Sequence, residues 1–147
     1  MKEATGSTVT WFFILMGIVI TMGYLAFNIN YTKAFRMKDK IIAMYNDRKG
    51  NCDSTCQTRI NEYAMSIGYS TDNTIDCTGY DGKYGGLYCY SKVISNKQSS
   101  AGAVKDEKDE YYYKIATKIH LEIPVISNIL NFKVFYITGD TKLFKEE

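Results

Sequence analysis

Hydrophobic positions are concentrated near the amino terminus, where an uncharged run extends from residue 4 to residue 32. The apolar centre of this run, Val9 to Phe27, is 19 residues long and contains no proline. As a helix it would measure about 28 Å, close to the roughly 30 Å hydrocarbon core of a bilayer. Because a helix satisfies its own backbone polar groups within lipid, the pattern predicts an N-terminal transmembrane helix within residues 1–32.

A cleaved secretory signal is the alternative for this segment. Such a signal has a basic start, an apolar stretch of about 7–15 residues and a cleavage site flanked by small residues. Here Lys2 is followed directly by Glu3, the apolar centre is longer, and the sequence after Phe27 is NINYT. The pattern therefore favours a helix that is retained in the membrane.

Helical periodicity continues beyond the apolar run. No glycine or proline occurs from Tyr31 to Asn46. Apolar residues recur there at intervals of three and four, which is the spacing of one helix face: Ala34, Met37, Ile41 and Met44, with Ile42 and Tyr45 widening the stripe. The sequence predicts one continuous helix over residues 7–47, with a transmembrane half and an amphipathic half, ended by the Arg48-Lys49-Gly50 sequence.

A second, shorter helix is predicted after residue 52. Asp53 or Ser54 is a suitable N-cap, and Gly68 supplies a stop. The apolar stripe between them falls at i, i+4, i+7 and i+11: Cys56, Ile60, Tyr63 and Ile67. Residues 69–86 are rich in glycine, aspartate, asparagine, serine and threonine, and this composition predicts a loop.

The rest of the chain has the pattern of a small antiparallel sheet. Residues Tyr111 to Ile123 alternate with a period of two, which predicts one packed and one solvated face. Pro124 ends this strand, residues 125–131 are expected to form a helical turn, and Gly139-Asp140 a turn or bulge. Further strands are predicted at Leu87–Ser95, Phe132–Thr138 and Thr141–Phe144. The predicted fold class is α+β, with the amphipathic half of the long helix packed on the sheet.

The four cysteines, at positions 52, 56, 77 and 89, all follow the predicted membrane helix. An even number in a small, loop-rich domain is typical of disulfides in an extracytoplasmic compartment. Zinc would need two paired-ligand knuckles, and the C-x11-C spacing of the second pair is too open for one. Buried free thiols are the third alternative. We favour Cys77–Cys89 and Cys52–Cys56, although four cysteines allow three connectivities. Residues 33–147 are thus predicted to form an extracytoplasmic, disulfide-containing head domain.

The charge distribution favours the opposite topology, with the head on the cytoplasmic side of the membrane. Between Lys33 and Lys49 there are six basic residues and two acidic ones. A basic juxtamembrane segment can bind anionic headgroups, but it also favours the cytoplasmic side. We give the cysteines more weight. The net charge of +2 for the whole chain is too small to argue for nucleic acid as a partner.

No set of residues with the chemistry of a catalytic site is found. His120 is the only histidine, and it falls on the predicted solvated face of a strand. Asp76 and Asp81 lie in a glycine-rich stretch but lack the spacing of a calcium-binding loop. We therefore expect no enzymatic activity, no catalytic residue, no metal and no cofactor.

The order of these elements carries a resemblance to a known family. A short leader with a glutamate, a membrane helix that runs into an amphipathic helix, and a small disulfide-containing sheet resemble the type IV pilin superfamily. Residues 30–38, NYTKAFRMK, are similar to the segment after the anchor in TadE-like minor pilins of tight-adherence systems and in Gram-positive type IV systems. The similarity covers about residues 1–50 by pattern and the rest by architecture alone.

The resemblance implies a structural, pilin-like or pseudopilin-like subunit of a cell-surface filament or secretion apparatus. Its partners would be the membrane, copies of itself or other pilin-like subunits, and assembly platform proteins. It also implies that Glu3 pairs with the terminal amine of a neighbouring subunit, whereas the alternative places Glu3 at the lipid headgroups. Gly17 and Thr21 form a small-x3-small motif for helix packing. The alternative function is a solitary, single-pass, membrane-anchored extracytoplasmic binding or accessory protein.

Overall fold

A single helix of 46 residues dominates the fold. The computed structural model describes residues 2–69, 75–95, 110–119 and 135–145, with the side chains of residues 2–5 excepted. The predicted α+β fold, with a long N-terminal helix packed on a small antiparallel sheet and a second short helix, is confirmed. The elements are α1 (Lys2–Asp47), α2 (Ser54–Ser66), β1 (Gly82–Tyr84), β2 (Tyr88–Ser95), β3 (Glu110–Ile119), β4 (Phe135–Asp140) and β5 (Phe144–Lys145).

Helix α1 is continuous from the apolar run into the amphipathic segment, as predicted. It begins at Lys2 rather than near residue 7. Its buried residues are Ala34, Met37, Ile41 and Tyr45. The helix ends where Lys49 and Gly50 take φ values of 51° and 84°, and the Gly50 N–H donates to the Tyr45 carbonyl at 2.8 Å. This left-handed ending satisfies a carbonyl that would otherwise have no helical partner.

The sheet is antiparallel, with strand order β1-β2-β3-β4, and β5 pairs with the start of β3. Helix α1 lies across the inner face of the sheet, so the predicted cover for that face is confirmed. The Thr117 hydroxyl of β3 donates to the Ala34 carbonyl of α1 at 3.1 Å. Because β3 is central, this contact fixes the helix to the middle of the sheet.

The prediction of a loop throughout residues 69–86 is wrong at β1. Strand β1 pairs with β2 through a tight turn in which Gly85 and Gly86 have φ values of 52° and 73°. Two successive residues with positive φ are what a short hairpin turn requires. The adjacent glycines were the sequence signal for this hairpin.

Strand β4 also differs from its prediction, because it continues through Gly139 and Asp140. A Cβ atom at Gly139 would lie 2.7 Å from Ile42 Cδ1 of α1. The glycine therefore makes room for the Ile42 and Lys38 side chains where helix and strand approach closely, and it does not form a turn. Strand β5 begins at Phe144 rather than Thr141, since the Lys142 N–H bonds to the Asn46 side chain at 2.9 Å.

Several predicted features lie outside the described residues. These are the extension of β3 to residue 123, the helical turn at 125–131, the start of the next strand at 132–134, and His120.

Two apolar cores lie on opposite faces of the sheet. The main core joins α1, α2 and the inner face, and a smaller one on the outer face contains Ile75, Cys89 and Ala116. Ala116 is fully buried, so the prediction of a solvated outer face is wrong at this position. The Cys77–Cys89 disulfide brings the 75–80 segment over the sheet and creates the second core.

Tyr69 extends the hydrogen bonding of β3 beyond the end of β2. Its hydroxyl donates to the Lys118 carbonyl at 2.7 Å and accepts from the Lys118 N–H at 3.0 Å. Pairing between β2 and β3 stops at Tyr88 and Thr117. The Tyr69 hydroxyl therefore bonds to the backbone of Lys118, which has no β2 residue opposite it. Burial raises the pKa of Tyr69 to about 12.

Alkaline pH should therefore destabilise the head through Tyr69. Its folded-state pKa lies above the unfolded value of 10.0, so the stabilisation is complete below pH 10 and is lost as pH rises through about 12. A difference of this size corresponds to about 2 to 3 kcal/mol. We expect the stability advantage of the wild type over Tyr69→Phe to shrink across this range in denaturant titrations. An advantage that stays constant from pH 9 to about pH 12 would contradict the prediction.

Candidate functional site

The first half of α1 is exposed on all sides. Between residues 9 and 25 its large apolar side chains are about half exposed or more, as Phe12 at 65% and Ile20 at 61% illustrate. Within the part of the chain that the structure describes, α1 is the one helix long and apolar enough to cross a membrane. We call residues 6–24 the anchor segment.

Gly17 and Thr21 lie together on the exposed surface of the anchor segment. The Thr21 hydroxyl donates to the Gly17 carbonyl, which satisfies the hydroxyl within the helix. A Cβ atom added at Gly17 would meet nothing within 4 Å. The two residues therefore form an open, shallow position at which another helix can approach closely. The helix also includes Glu3, but the predicted pairing of its carboxylate concerns a side chain outside the described part.

The Gly17 and Thr21 pair belongs to a longer pattern that the sequence analysis missed. Thr10 donates to the Gly6 carbonyl at 2.9 Å, and Thr32 to the Asn28 carbonyl at 2.8 Å. The pairs recur at intervals of 11 residues, which equals about three helical turns and keeps them on one face. The repeating sequence interval was the available signal.

Two grooves flank α1 where it meets the head. The first is apolar, and its walls include Phe27 and Tyr31 of the helix and Ile119, Phe135 and Ile137 of the sheet. The second lies on the other side of the helix and is lined by Leu25, Asn28, Ile29, Thr32, Lys33, Arg36, Ser66 and Ile67. We call the residues of these walls that lie in the sheet or at the end of α2 the anchor-proximal rim: Ser66, Ile67, Ile119, Phe135, Tyr136, Ile137 and Thr138. Only the tertiary structure brings these distant residues together.

The basic residues beyond the anchor segment are partly engaged by the head. Lys33 Nζ donates to the Gly68 carbonyl at 3.1 Å, and Lys38 Nζ lies 3.0 Å from Asp39 Oδ1. The Lys38 ammonium also lies 4.1 Å from the centre of the Phe35 ring. The Lys33 bond attaches α1 to the residues that follow α2, whereas both contacts of Lys38 lie within α1.

The cysteines form the two pairs that the sequence analysis favoured. Cys52 and Cys56 are joined with a Cα–Cα distance of 5.3 Å, and Cys77 and Cys89 with one of 5.5 Å. The first bridge closes the start of α2, where the Asp53 carboxylate accepts from the Cys56 N–H at 2.9 Å as an N-cap. The second ties the loop before β1 to the start of β2.

The two loop aspartates have structural roles. Asp76 accepts from the backbone N–H and the hydroxyl of Thr78, and these bonds lower the pKa of its carboxyl. Asp81 accepts from the Ser91 hydroxyl at 3.0 Å and the Lys92 N–H at 2.7 Å. In residues 2–69, 75–95, 110–119 and 135–145, no group of three or more histidine, cysteine or acidic residues is arranged to hold a metal.

The tyrosines around β2 belong to the main core or pack against it. Tyr88 is fully buried, its hydroxyl lies 3.3 Å from that of Tyr45, and burial raises its pKa. Tyr84 and Tyr90 pack around it, with ring centres 5.9 and 6.4 Å from the Tyr88 ring. This cluster joins α1 to the sheet.

Comparison with models of protein families, with curated proteins and with solved structures finds no match for this chain. The features available for interpreting function are therefore those of the molecule itself. They are the exposed apolar anchor segment, its small-residue face, and the grooves at the anchor-proximal rim.

Proposed function

We propose that this chain is a structural, pilin-like subunit of a cell-surface filament or secretion apparatus. The observation that carries the proposal is the continuity of α1, of which one half is exposed and apolar while the other half forms part of the core of the head. The helix would anchor the subunit in the cell membrane as a single pass, with the head on the extracytoplasmic side. Its partners would be copies of itself or other pilin-like subunits, and assembly platform proteins.

The exposed half of α1 needs an apolar environment. Contiguous apolar patches of more than a few hundred Å² are rare on soluble monomers, and this segment is apolar around its whole circumference. A bilayer satisfies that requirement before assembly, and neighbouring helices of the same kind satisfy it in a filament. One helix can thus serve both as the membrane anchor and as the assembly element.

The attachment of α1 to the head suits a mechanical role. Met37 and Ile41 are fully buried between helix and sheet, and Thr117 bonds directly to the helix backbone. A force applied to the head would pass into the helix through a packed core rather than through a linker. The two disulfides further support a head on the oxidising side of the membrane.

Assembly is assigned to the face that contains Gly17 and Thr21. In lipid, helices associate through close backbone approach at small residues. Gly17→Leu would fill the open position on this face, while the isolated subunit has space for the new side chain. We expect at least about a tenfold loss of assembled species, which corresponds to about 1.4 kcal/mol per helix contact. Sheared surface material and gently extracted membranes, examined by imaging and native mass spectrometry, provide the measurement.

A matched control is Val19→Phe. Val19 is 54% exposed and lies about 200° around the helix from Gly17, so this variant adds bulk to the opposite face. Equal losses in the two variants would contradict a specific assembly face. Recovery of the wild type only as a membrane-bound monomer would overturn the filament proposal and favour a solitary anchored extracytoplasmic protein. N-terminal mass spectrometry of the same material reports whether Glu3 is retained in the mature chain.

A further inference from the structure

The head begins before the apolar run of α1 has ended. The run extends from Val9 to Phe27, yet Leu25 and Phe27 already form walls of the two grooves together with residues of α2 and the sheet. No hydrophilic stretch of helix separates the apolar run from the head. The length of the membrane helix therefore determines how far the head can stand from a bilayer.

The helix geometry gives the depth of this junction. With Ile18 at the midplane, Phe27 lies nine residues away, which is about 13.5 Å along the axis. Half of the hydrocarbon core is about 15 Å. Phe27 is then at the edge of the hydrocarbon, and the groove walls that face it, including Phe135, are at the level of the interface.

The side chains at this level have the chemistry of a membrane interface. Phe135 is 48% exposed and Tyr31 is 43% exposed, and aromatic residues are favoured between hydrocarbon and headgroups. Lys33 and Arg36 line the second groove and lie about 9 to 14 Å beyond Phe27 along the helix. The Arg36 side chain can reach back to the lipid phosphates, and the Lys33 ammonium, which donates one hydrogen bond to the Gly68 carbonyl, has two further donors for them.

We propose that the anchor-proximal rim of the head is embedded in the bilayer interface. Phe135 would lie at the boundary of the acyl chains, and Lys33 and Arg36 at the phosphates. The subunit would thus contact the lipid surface through its head as well as through its helix, and the orientation of the head would be set by lipid. This inference rests on the membrane anchoring in the proposed function.

Lipid is favoured over a second copy as the occupant of the groove at Phe135, because none of the residues of the assembly face lines it, whereas Asn28 and Thr32 of that face line the other groove. Both grooves are continuous with the anchor segment, since they share the helix that carries it. The opposite end of the head lacks that continuity. There, Leu143 is 53% exposed beside Lys142, which bonds to Asn46 far along the helix.

Tryptophan fluorescence of the full chain can test the depth of the rim. Trp11 is the only tryptophan, so the Trp11→Phe background accepts one reporter by Phe135→Trp or by Leu143→Trp. These two sites have matched exposure, 48% and 53%, at opposite ends of the head. The proteins are reconstituted in phosphatidylcholine–phosphatidylglycerol vesicles, with or without lipids brominated near the carboxyl end of the acyl chains. Unaltered protein, with Trp11, reports on the anchor itself.

We expect the reporter at position 135 to emit at shorter wavelength and to be quenched at least about twofold more than that at 143. Equal behaviour of the two reporters, with Trp11 quenched, would overturn the embedded rim and leave the anchor intact. Emission at shorter wavelength without quenching at 135 would mean that protein covers the rim, which also overturns the proposal. An unquenched Trp11 would instead overturn the membrane anchoring on which both proposals rest.

Discussion

Ile41→Asp is expected to unfold the head. Ile41 is fully buried in the main core, where α1 packs on the sheet. A carboxylate at this position would be buried without a partner, which is one of the few single changes that cost more than about 4 kcal/mol. Because a domain of this size is stable by only about 5 to 15 kcal/mol, the cooperative transition of the head should weaken severely or disappear.

Near-ultraviolet circular dichroism would detect this loss, since the tyrosine cluster joins Tyr45 of α1 to Tyr88 of β2 and depends on the packing of helix on sheet. Ala43→Asp is the matched control, because Ala43 is exposed two residues further along the same helix. It lowers helix propensity and places a carboxylate four residues from both Asp39 and Asp47, so it should cost about 1 to 2 kcal/mol. A head that keeps its cooperative unfolding in Ile41→Asp would contradict the role of α1 as a core element. The mechanical coupling in our proposed function would then lose its basis.

The paired change Cys77→Ser with Cys89→Ser should destabilise the head by about 3 kcal/mol. This estimate follows from the loop of 12 residues that the bridge closes in the unfolded chain. Loss of the bridge also releases the 75–80 segment, which covers Ala116 on the outer face of the sheet. The midpoint of unfolding, followed in denaturant at neutral pH, should decrease accordingly.

Cys52→Ser with Cys56→Ser is the internal control for this change. Its bridge spans only four residues and should contribute about 2 kcal/mol. Reductant should destabilise the wild type more than either pair of substitutions, because it opens both bridges. A midpoint that does not respond to reductant would contradict a stabilising role for both disulfides.

The proposed embedding of the rim would complement assembly through α1. A head held at a fixed angle to the bilayer presents the same face of the anchor segment in every subunit. Gly17 and Thr21 of one subunit would then face the same two residues of a neighbouring subunit, because neither head rotates freely relative to the bilayer. Reduced orientational freedom lowers the entropic cost of association. The two proposals can be tested separately, since Gly17→Leu leaves the rim unchanged and Phe135→Trp leaves the assembly face unchanged.

Local patterns were sufficient for the helices because each helix is defined by interactions within a few residues. The i, i+3 and i+4 spacing of Ala34, Met37 and Ile41 gave both the helix and its buried face. Asp53 was one of two candidate N-caps for α2, and the structure assigns the cap to it. The favoured pairing of cysteines that are neighbours in the sequence likewise agrees with the two bridges observed.

Predictions failed where a residue's role depended on a distant partner. Gly139 has the composition of a turn, but it lies in a strand paired with Ile115, where the missing Cβ atom makes room for the Ile42 side chain of α1. Ala116 alternates with inward-facing residues, yet the segment tied by Cys77 and Cys89 buries it. Neither contact can be read from the neighbouring sequence, since each joins elements far apart in the chain.

The sequence by itself determined an apolar helix of membrane length, its amphipathic continuation and the α+β class, because hydrophobic periodicity encodes these features locally. Only the tertiary structure decided where the head sits on that helix. The grooves at Phe27 and Phe135 arise from packing between residues about a hundred positions apart. That packing sets the distance between the head and the apolar run, and with it the surface that we place at the membrane.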